Sequence, residues 1–249
     1  MRGPLPQPQV EDSGESESGK PTGLWVDLGV DGYLATFCLQ EEVNELCQRG
    51  DVPATVIVVE HRPCLTLGRA SSLAHILADE ETLVRAGVEV HVSDRGGDVT
   101  YHGPGQLVCY PILNLRDYGC DAHAHARRLE EIMIGTAAVF GVDAWRRAGC
   151  PGAWTTRGKL GSVGIGLRRW VTMHGAALNV CPDLSAFSLI VPCGLQNVAV
   201  TSLEQVLGRP VDMAQARAAL KRSCAEVFGL SLVETTRDDL MATMAEAVA

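Results

Sequence analysis

Arg95-Gly96-Gly97-Asp98-Val99-Thr100-Tyr101-His102-Gly103-Pro104-Gly105-Gln106 lies between two apolar runs, residues 88–92 and 107–113. These twelve positions hold four glycines, a proline, a histidine and an arginine. Glycine accepts positive φ and lets the main chain come close to a ligand. A glycine-rich stretch between two strand-like runs therefore reads as a ligand cradle, or as an elaborate connection between strands.

Upstream of it, residues 24–30 read as a strand. Asp31 is placed to cap a helix with the inward stripe Leu34, Phe37, Cys38, Leu46 and Cys47, ending at Gly50. Residues 54–60 (ATVIVVE) are continuously apolar and β-branched, the pattern of a strand buried on both faces. A short strand over 64–67 ends at Gly68-Arg69, and Asp79 caps a short helix stopped by Gly87. Downstream, Asp121 opens a helix in which Leu129, Ile132, Met133, Thr136, Ala137 and Phe140 keep the helical period, and Gly141 closes it. Residues 142–180 turn β-like, with strands expected over 153–156, 160–167 and 170–178. Asp212 starts a helix that runs to Phe228 and stops at Gly229; a strand over 230–233 and an amphipathic helix follow. There is no repeat and no internal linker. The expectation is a single α+β domain with a mixed β-sheet and flanking helices over residues 23–249. Residues 1–22, rich in Pro, Ser, Gly and Glu, carry too little apolar surface to offset ordering entropy and are expected to be disordered.

Composition narrows the class. The 249 residues are 46% hydrophobic, enough for an ordinary core. No apolar run approaches the ~18–20 residues of a membrane span, and no basic segment followed by an apolar one opens the chain. Nine cysteines, an odd and irregularly spaced set, read as free thiols in a reducing cytoplasm. No CxxC pair occurs, and His123-x-His125 lacks zinc-type spacing, so no metal site is expected. A net charge of −9 argues against a nucleic-acid surface. Residues 116–169 are locally +4, however, either a fluctuation on a solvated face or a patch for an acidic partner.

Three groups could carry chemistry. Cys193 lies in Ile190-Val191-Pro192-Cys193-Gly194, where Pro and Gly argue for an exposed turn. Cys38, Cys47, Cys109 and Cys224 instead fall in helix and strand patterns, as small hydrophobes do. Lys159 opens the glycine-rich apolar run Lys159-Leu160-Gly161-Ser162-Val163-Gly164. It is either a solubilising charge on an edge strand or a cleft lysine able to support a thiolate and move a proton. His174-Gly175 is the third, either a satisfied core histidine or a site residue.

The order of these elements resembles the lipoyl(octanoyl) transferases. Residues 95–106 followed by LVCYP resemble the signature loop of that family. Gly68-Arg69, residues 159–164, 169–180 (RWVTMHGAALNV) and 190–194 (IVPCG) resemble further motifs, so the likeness spans about residues 24–207. The resemblance implies a fold like the catalytic domain of biotin and lipoate protein ligases. It implies transfer of an octanoyl group from octanoyl-acyl carrier protein to a lysine of lipoyl domains, through a cysteine thioester, as the first step of endogenous lipoate synthesis. The acceptors implied are lipoyl domains of 2-oxoacid dehydrogenase complexes and the glycine cleavage H protein. Neither cofactor, nucleic acid nor membrane is implied, and the location is the cytoplasm. Cys193 would be the acyl nucleophile and Lys159 its activator. Arg95, Gly96, Gly97, Asp98, Val99, Thr100, Tyr101 and His102 would border the acyl site, with Ser162, Val163, Gly164, Gly175, Ala176 and Ala177.

One departure stands out: the family often carries Arg where this chain has Gly166, and Arg168 and Arg169 are the nearby candidates to compensate. Physical chemistry agrees with a cysteine relay, because thiol–thioester exchange is nearly balanced and aminolysis runs downhill. Backbone N–H groups of a glycine-rich wall are suited to an oxyanion. An ATP-dependent ligase of the same fold would need no such cysteine. A non-catalytic carrier-binding module would keep the basic patch but have no use for Cys193.

Overall fold

The apolar runs become the centre of a sheet. The computed structural model describes residues 19–192 and 198–248. Strand β2 (Thr55–His61) and strand β6 (Gln106–Ile112) are buried at every position. Both faces of these strands are covered. Val56, Val58, Leu107 and Cys109 pack into one core with helices α3 (Ala122–Val139), α4 (Leu203–Leu207) and α5 (Met213–Phe228). Ile57, Val59, Val108, Tyr110 and Ile112 pack into the other, with α1 (Tyr33–Arg49) and α6 (Arg237–Val248). Side chains that alternate between two apolar layers produce the unbroken apolar runs.

The main sheet has eight strands in the order β11-β1-β2-β6-β10-β9-β8-β7. Its mixed character comes from β1 (Thr22–Asp31), which runs parallel to both β2 and β11 (Ser231–Glu234). Beyond β2 the pairings are antiparallel: β6, then β10 (Val171–Asn179), β9 (Gly158–Arg168), β8 (Cys150–Thr155) and β7 (Trp145–Arg147). A second sheet was not foreseen. Strands β4 (Glu89–Val92), β3 (Cys64–Leu67) and β5 (Val99–His102) form a three-stranded layer. Leu65, Val99 and Tyr101 share its core with Leu83 of α2 (Glu80–Arg85) and with Phe187.

Three predicted aspartate caps are in place. Asp79 accepts from Thr82 N, Asp121 from His123 N and Ala124 N, and Asp212 from Ala214 N. Two expectations about α1 are corrected. Asp31 does not cap it; the cap position is Gly32, and Asp31 Oδ1 accepts only from Gly32 N. The buried face matches the expected stripe only in part, at Leu46 and Cys47. Leu34 and Cys38 are exposed, and the inward residues include Thr36, Gln40 and Asn44. Two of these polar side chains serve β10: Gln40 Oε1 accepts from His174 N at 2.9 Å, and Asn44 Nδ2 donates to Val171 O and Thr172 O. Counting apolar positions cannot find a helix face whose task is to satisfy a neighbouring strand.

Most strand ends fall within a residue or two of the expected ones, but β8 starts three residues before the expected 153, β7 was not among the expected strands, and the signature stretch is not one loop. Its centre, Val99–His102, is strand β5, paired antiparallel to β3. The eight described cysteines are all free thiols. No helix of the described residues is long and apolar enough to cross a membrane.

Candidate active site

Arg95 ties the two sheets together. Its Nη2 donates to Thr66 O at 2.6 Å and to Thr66 Oγ1 at 3.0 Å, both on β3. Around it, Arg69 N donates to Arg95 O, Ala70 N to Gly97 O and Gly96 N to Ile165 O of β9. The stretch 95–98 is thus laced between Gly68-Arg69 and β9, which explains why those separate motifs read as a set. Space is short at this seam: a Cβ on Gly164 would lie 3.0 Å from Arg95 Cδ. The Gly96 N–H is spent on Ile165, so it is not the oxyanion donor expected of the glycine-rich wall.

The second half of the stretch is anchored differently. Gly105 has φ +83°, and a Cβ there would meet Cys181 O at 2.6 Å, so only glycine fits. Its O accepts from Val180 N and Cys181 N, and its N donates to Glu60 Oε2 at 2.7 Å. Gln106 joins His102 Nδ1 (2.6 Å) to Asn179 Oδ1 (2.9 Å), and Asn179 Nδ2 in turn donates to Thr201 O.

These elements enclose a cavity of about 290 Å³. Arg95, Gly96, Gly97, Asp98, Thr100, His102, Lys159, Ser162, Val163, Gly164, Gly175, Ala176 and Ala177 line it, all of them expected site residues. Val99 and Tyr101 do not. Side chains alternate along β5, so Thr100 and His102 face the cavity and their neighbours face the second core. Val99 is fully buried there, and the Tyr101 ring packs on Phe187 at 5.6 Å. Tyr33, Val108, Tyr110, Ala126, Cys150 and Ile165 also line the cavity and were not anticipated. His174, left open between core and site, is both: it is buried, lines the cavity, and binds Asp94 Oδ1 through Nε2 at 2.6 Å.

Lys159 is not an edge-strand charge. β9 lies between β8 and β10, and Lys159 is 5% exposed. Its Nζ sits 5.6 Å from the Trp154 ring centroid. Its backbone pairs with the chain that follows the IVPCG motif: Lys159 N donates to Ala199 O at 2.8 Å, and Thr201 N to Lys159 O at 3.0 Å. At the start of that motif, Val191 N donates to His75 O at 2.7 Å. Cys193 itself lies outside the described residues.

Burial governs the titrating groups nearby. It depresses the basicity of His102 to about 3 and of His61 to about 4, keeping both imidazoles neutral at physiological pH. Asp94 is held far below the usual carboxylate range, chiefly by its hydrogen bond from His174, with Arg168 adding to it.

The basic stretch is only partly free. Arg168 Nη2 is paired with Glu41 (2.8 Å) and Asp94 (3.0 Å). Arg146 is paired with Glu130 (3.2 Å) and with Glu131. Arg128 and Arg147 lie over the Tyr118 and Trp154 rings at 5.2 and 4.9 Å. His123 and His125 both fall in the first turns of α3, as expected, with His123 exposed and His125 buried against Phe228. Among the described residues no three His, Cys, Asp or Glu side chains group as a metal site.

The fold is that of the lipoate-protein ligases. Lipoate-protein ligase A bound with ATP superposes with a TM-score of 0.73 at 18% identity, over 92% of this chain and 94% of that one. A structure from an archaeal lipoylation system, a bi-partite lipoate protein ligase and its E2 lipoyl domain from Thermoplasma acidophilum, gives 0.67 at 17% identity, over 91% of each chain. At such identities the likeness speaks for the fold alone. Sequence goes further. The model of the lipoyl protein ligase A/B catalytic domain matches residues 32–225. The octanoyltransferase of Syntrophotalea carbinolica is 50% identical over 192 residues, 77% of this chain and 88% of the relative. That of Geobacter sulfurreducens is 45% identical over 213 residues, 86% and 88%. The chain therefore belongs to the lipoyl protein ligase A/B catalytic-domain family and, within it, to the octanoyltransferases, which are acyltransferases.

Proposed function

We propose that residues 23–249 form a catalytic domain that moves an octanoyl group from octanoyl-acyl carrier protein to the ε-amino group of a lipoyl-domain lysine, with Cys193 as the acyl carrier between them. The acceptors are the lipoyl domains of 2-oxoacid dehydrogenase complexes and the glycine cleavage H protein, and the compartment is the cytoplasm. The observation that carries this reading is the position of Lys159. A buried lysine lines a small cavity, and its main chain is paired with the segment 199–201, a few residues beyond Cys193.

In the first half-reaction the Cys193 thiolate attacks the thioester carbonyl. The carrier's thiolate leaves and takes a proton from Lys159. An ammonium beside the thiol favours the thiolate that attacks. In the second, the acceptor amine attacks the Cys193 thioester, Lys159 takes the amine proton, and the amide forms as the thiolate is released. Because the donor is already activated, no nucleotide is consumed. A cavity of about 290 Å³ lies just below the roughly 300–1,000 Å³ of drug-sized ligand sites, a size suited to a single acyl chain.

The test is transfer in a purified system. With octanoyl-carrier protein and a lipoyl domain, the lipoyl domain is expected to gain one octanoyl mass, and Cys193→Ser to abolish that gain. Transfer by Cys193→Ser at the normal rate would overturn the nucleophile assignment.

A further inference from the structure

The cavity has two chemically different ends. Lys159 marks one. At the other stand four rings from four elements: Tyr33 of α1, His102 of β5, Tyr110 of β6 and His174 of β10. The register gives their separation. His174 pairs with Ile165, six residues along β9 from Lys159, a span of about 20 Å at ~3.3 Å per residue. An extended lysine side chain takes about 6 Å of that and an octanoyl chain about 9 Å, its seven C–C bonds of ~1.5 Å each advancing ~1.3 Å along the zigzag. Allowing for the thickness of a ring, the methyl end of the acyl group arrives at the ring wall.

Most of that wall's heteroatoms are used elsewhere. Tyr33 Oη donates to Ser93 Oγ at 2.9 Å, and Tyr110 Oη is bound to His61 Nε2 at 2.8 Å. His102 uses Nδ1 on Gln106, and His174 uses Nε2 on Asp94. The rings also brace one another. Phe37 stacks on Tyr33 (6.1 Å) and on His174 (5.6 Å), and His61 touches Tyr33, His102 and Tyr110 at 5.5–5.8 Å.

His174 is the most firmly placed of them. Its backbone sits at φ +58°, its N–H is held by Gln40, and its ring is clamped between Phe37 and Asp94. Gly166 gives the ring its room, since a Cβ there would come within 3.1 Å of His174 Cδ2.

We propose that His174 is the stop against which the methyl end of the acyl chain rests, and so the residue that sets acyl-chain length. The proposal rests on the acyl-transfer reading of the cavity. It is tested with carrier proteins loaded with C6, C8, C10 and C12 acyl groups, measuring kcat/KM for each. One methylene in an apolar pocket is worth about 10–200-fold in discrimination. His174→Ala is therefore expected to raise the C10:C8 ratio at least tenfold, and His174→Phe, which keeps a ring, to retain the preference for C8. Gly166→Ala, which presses on the ring from β9, is expected to shift the preference towards C6; it gives an independent reading should His174→Ala fail to fold. A wild type that transfers no acyl group from any carrier overturns the acyl-transfer reading and this assignment together. A wild type that transfers octanoate, with variants that keep its length profile, overturns this assignment alone.

Discussion

Gly175→Ala is the substitution whose cost follows most directly from the geometry. Gly175 lies in β10, between β6 and β9, opposite Gly164. A Cβ at that position would stand 2.1 Å from Cys109 O and 2.9 Å from Pro111 Cδ. Neither atom belongs to a side chain that can swing away. Relief requires β10 and β6 to part by about an ångström where Ala176–Asn179 pairs with Gln106–Cys109. Overpacking of a core typically costs about 1–3 kcal/mol, and a collision with main chain belongs at the upper end. For a domain of this size ~3 kcal/mol lowers Tm by roughly 6–12 °C. Gly96→Ala is the control, because its nearest foreign atom is Ile165 O at an ordinary 3.5 Å. A well-tolerated change stays within about 0.5 kcal/mol, or a degree or two. Thermal unfolding followed by circular dichroism reads both. A Gly175→Ala melt within 2 °C of wild type, or equal shifts in the two variants, would refute the claim that backbone contact at Gly175 shapes the cavity wall.

Other outcomes follow from the same structure. Lys159→Met and Lys159→Arg should each lower turnover by about 10²–10⁴-fold, because methionine carries no proton and a guanidinium does not give one up; single-turnover transfer measures this. Stability should fall as pH drops below ~6.5. His61 and His125, lowered to about 4, and His102, lowered to about 3, bind protons more readily unfolded than folded. Each therefore costs up to about 1.4 kcal/mol per pH unit from ~6.5 down to its folded value. Urea unfolding at pH 7.5 and 5.5 tests this, and equal midpoints would contradict it. The depressed carboxyl of Asp94 adds a further loss only near and below its unfolded value of about 4. The carrier KM should rise with salt and with charge reversal at Arg127, Arg147 and Arg169, but less with reversal at Arg146, whose charge is already met by Glu130 and Glu131.

The sequence is most legible where one local rule decides the structure. The aspartate caps at Asp79, Asp121 and Asp212 and the two-faced apolar strands β2 and β6 need only their own neighbours to be read. Legibility fails where a residue serves a distant strand. Gln40 and Asn44 break the apolar period of α1 because they bind main chain of β10, more than a hundred residues away. His174 stands out in sequence but its role stays open there, because its partner Asp94, 80 positions away, carries no mark of its own. Most of the signature motif lines the cavity. Val99 and Tyr101 fall out of it because the stretch is partly a strand, whose alternate side chains face another core. Cys150 and Ala126 reach the cavity from β8 and α3 by packing alone, and no motif marks them.

The central claim is a covalent octanoyl-enzyme on Cys193, and the intact mass of the enzyme tests it most directly. After incubation with octanoyl-carrier protein and no acceptor, the protein should gain the mass of a single octanoyl group, mapped by peptide analysis to Cys193. Adding a lipoyl domain should discharge it. An enzyme that transfers octanoate without ever carrying it, or that carries it on Cys150 or another thiol, would contradict the account.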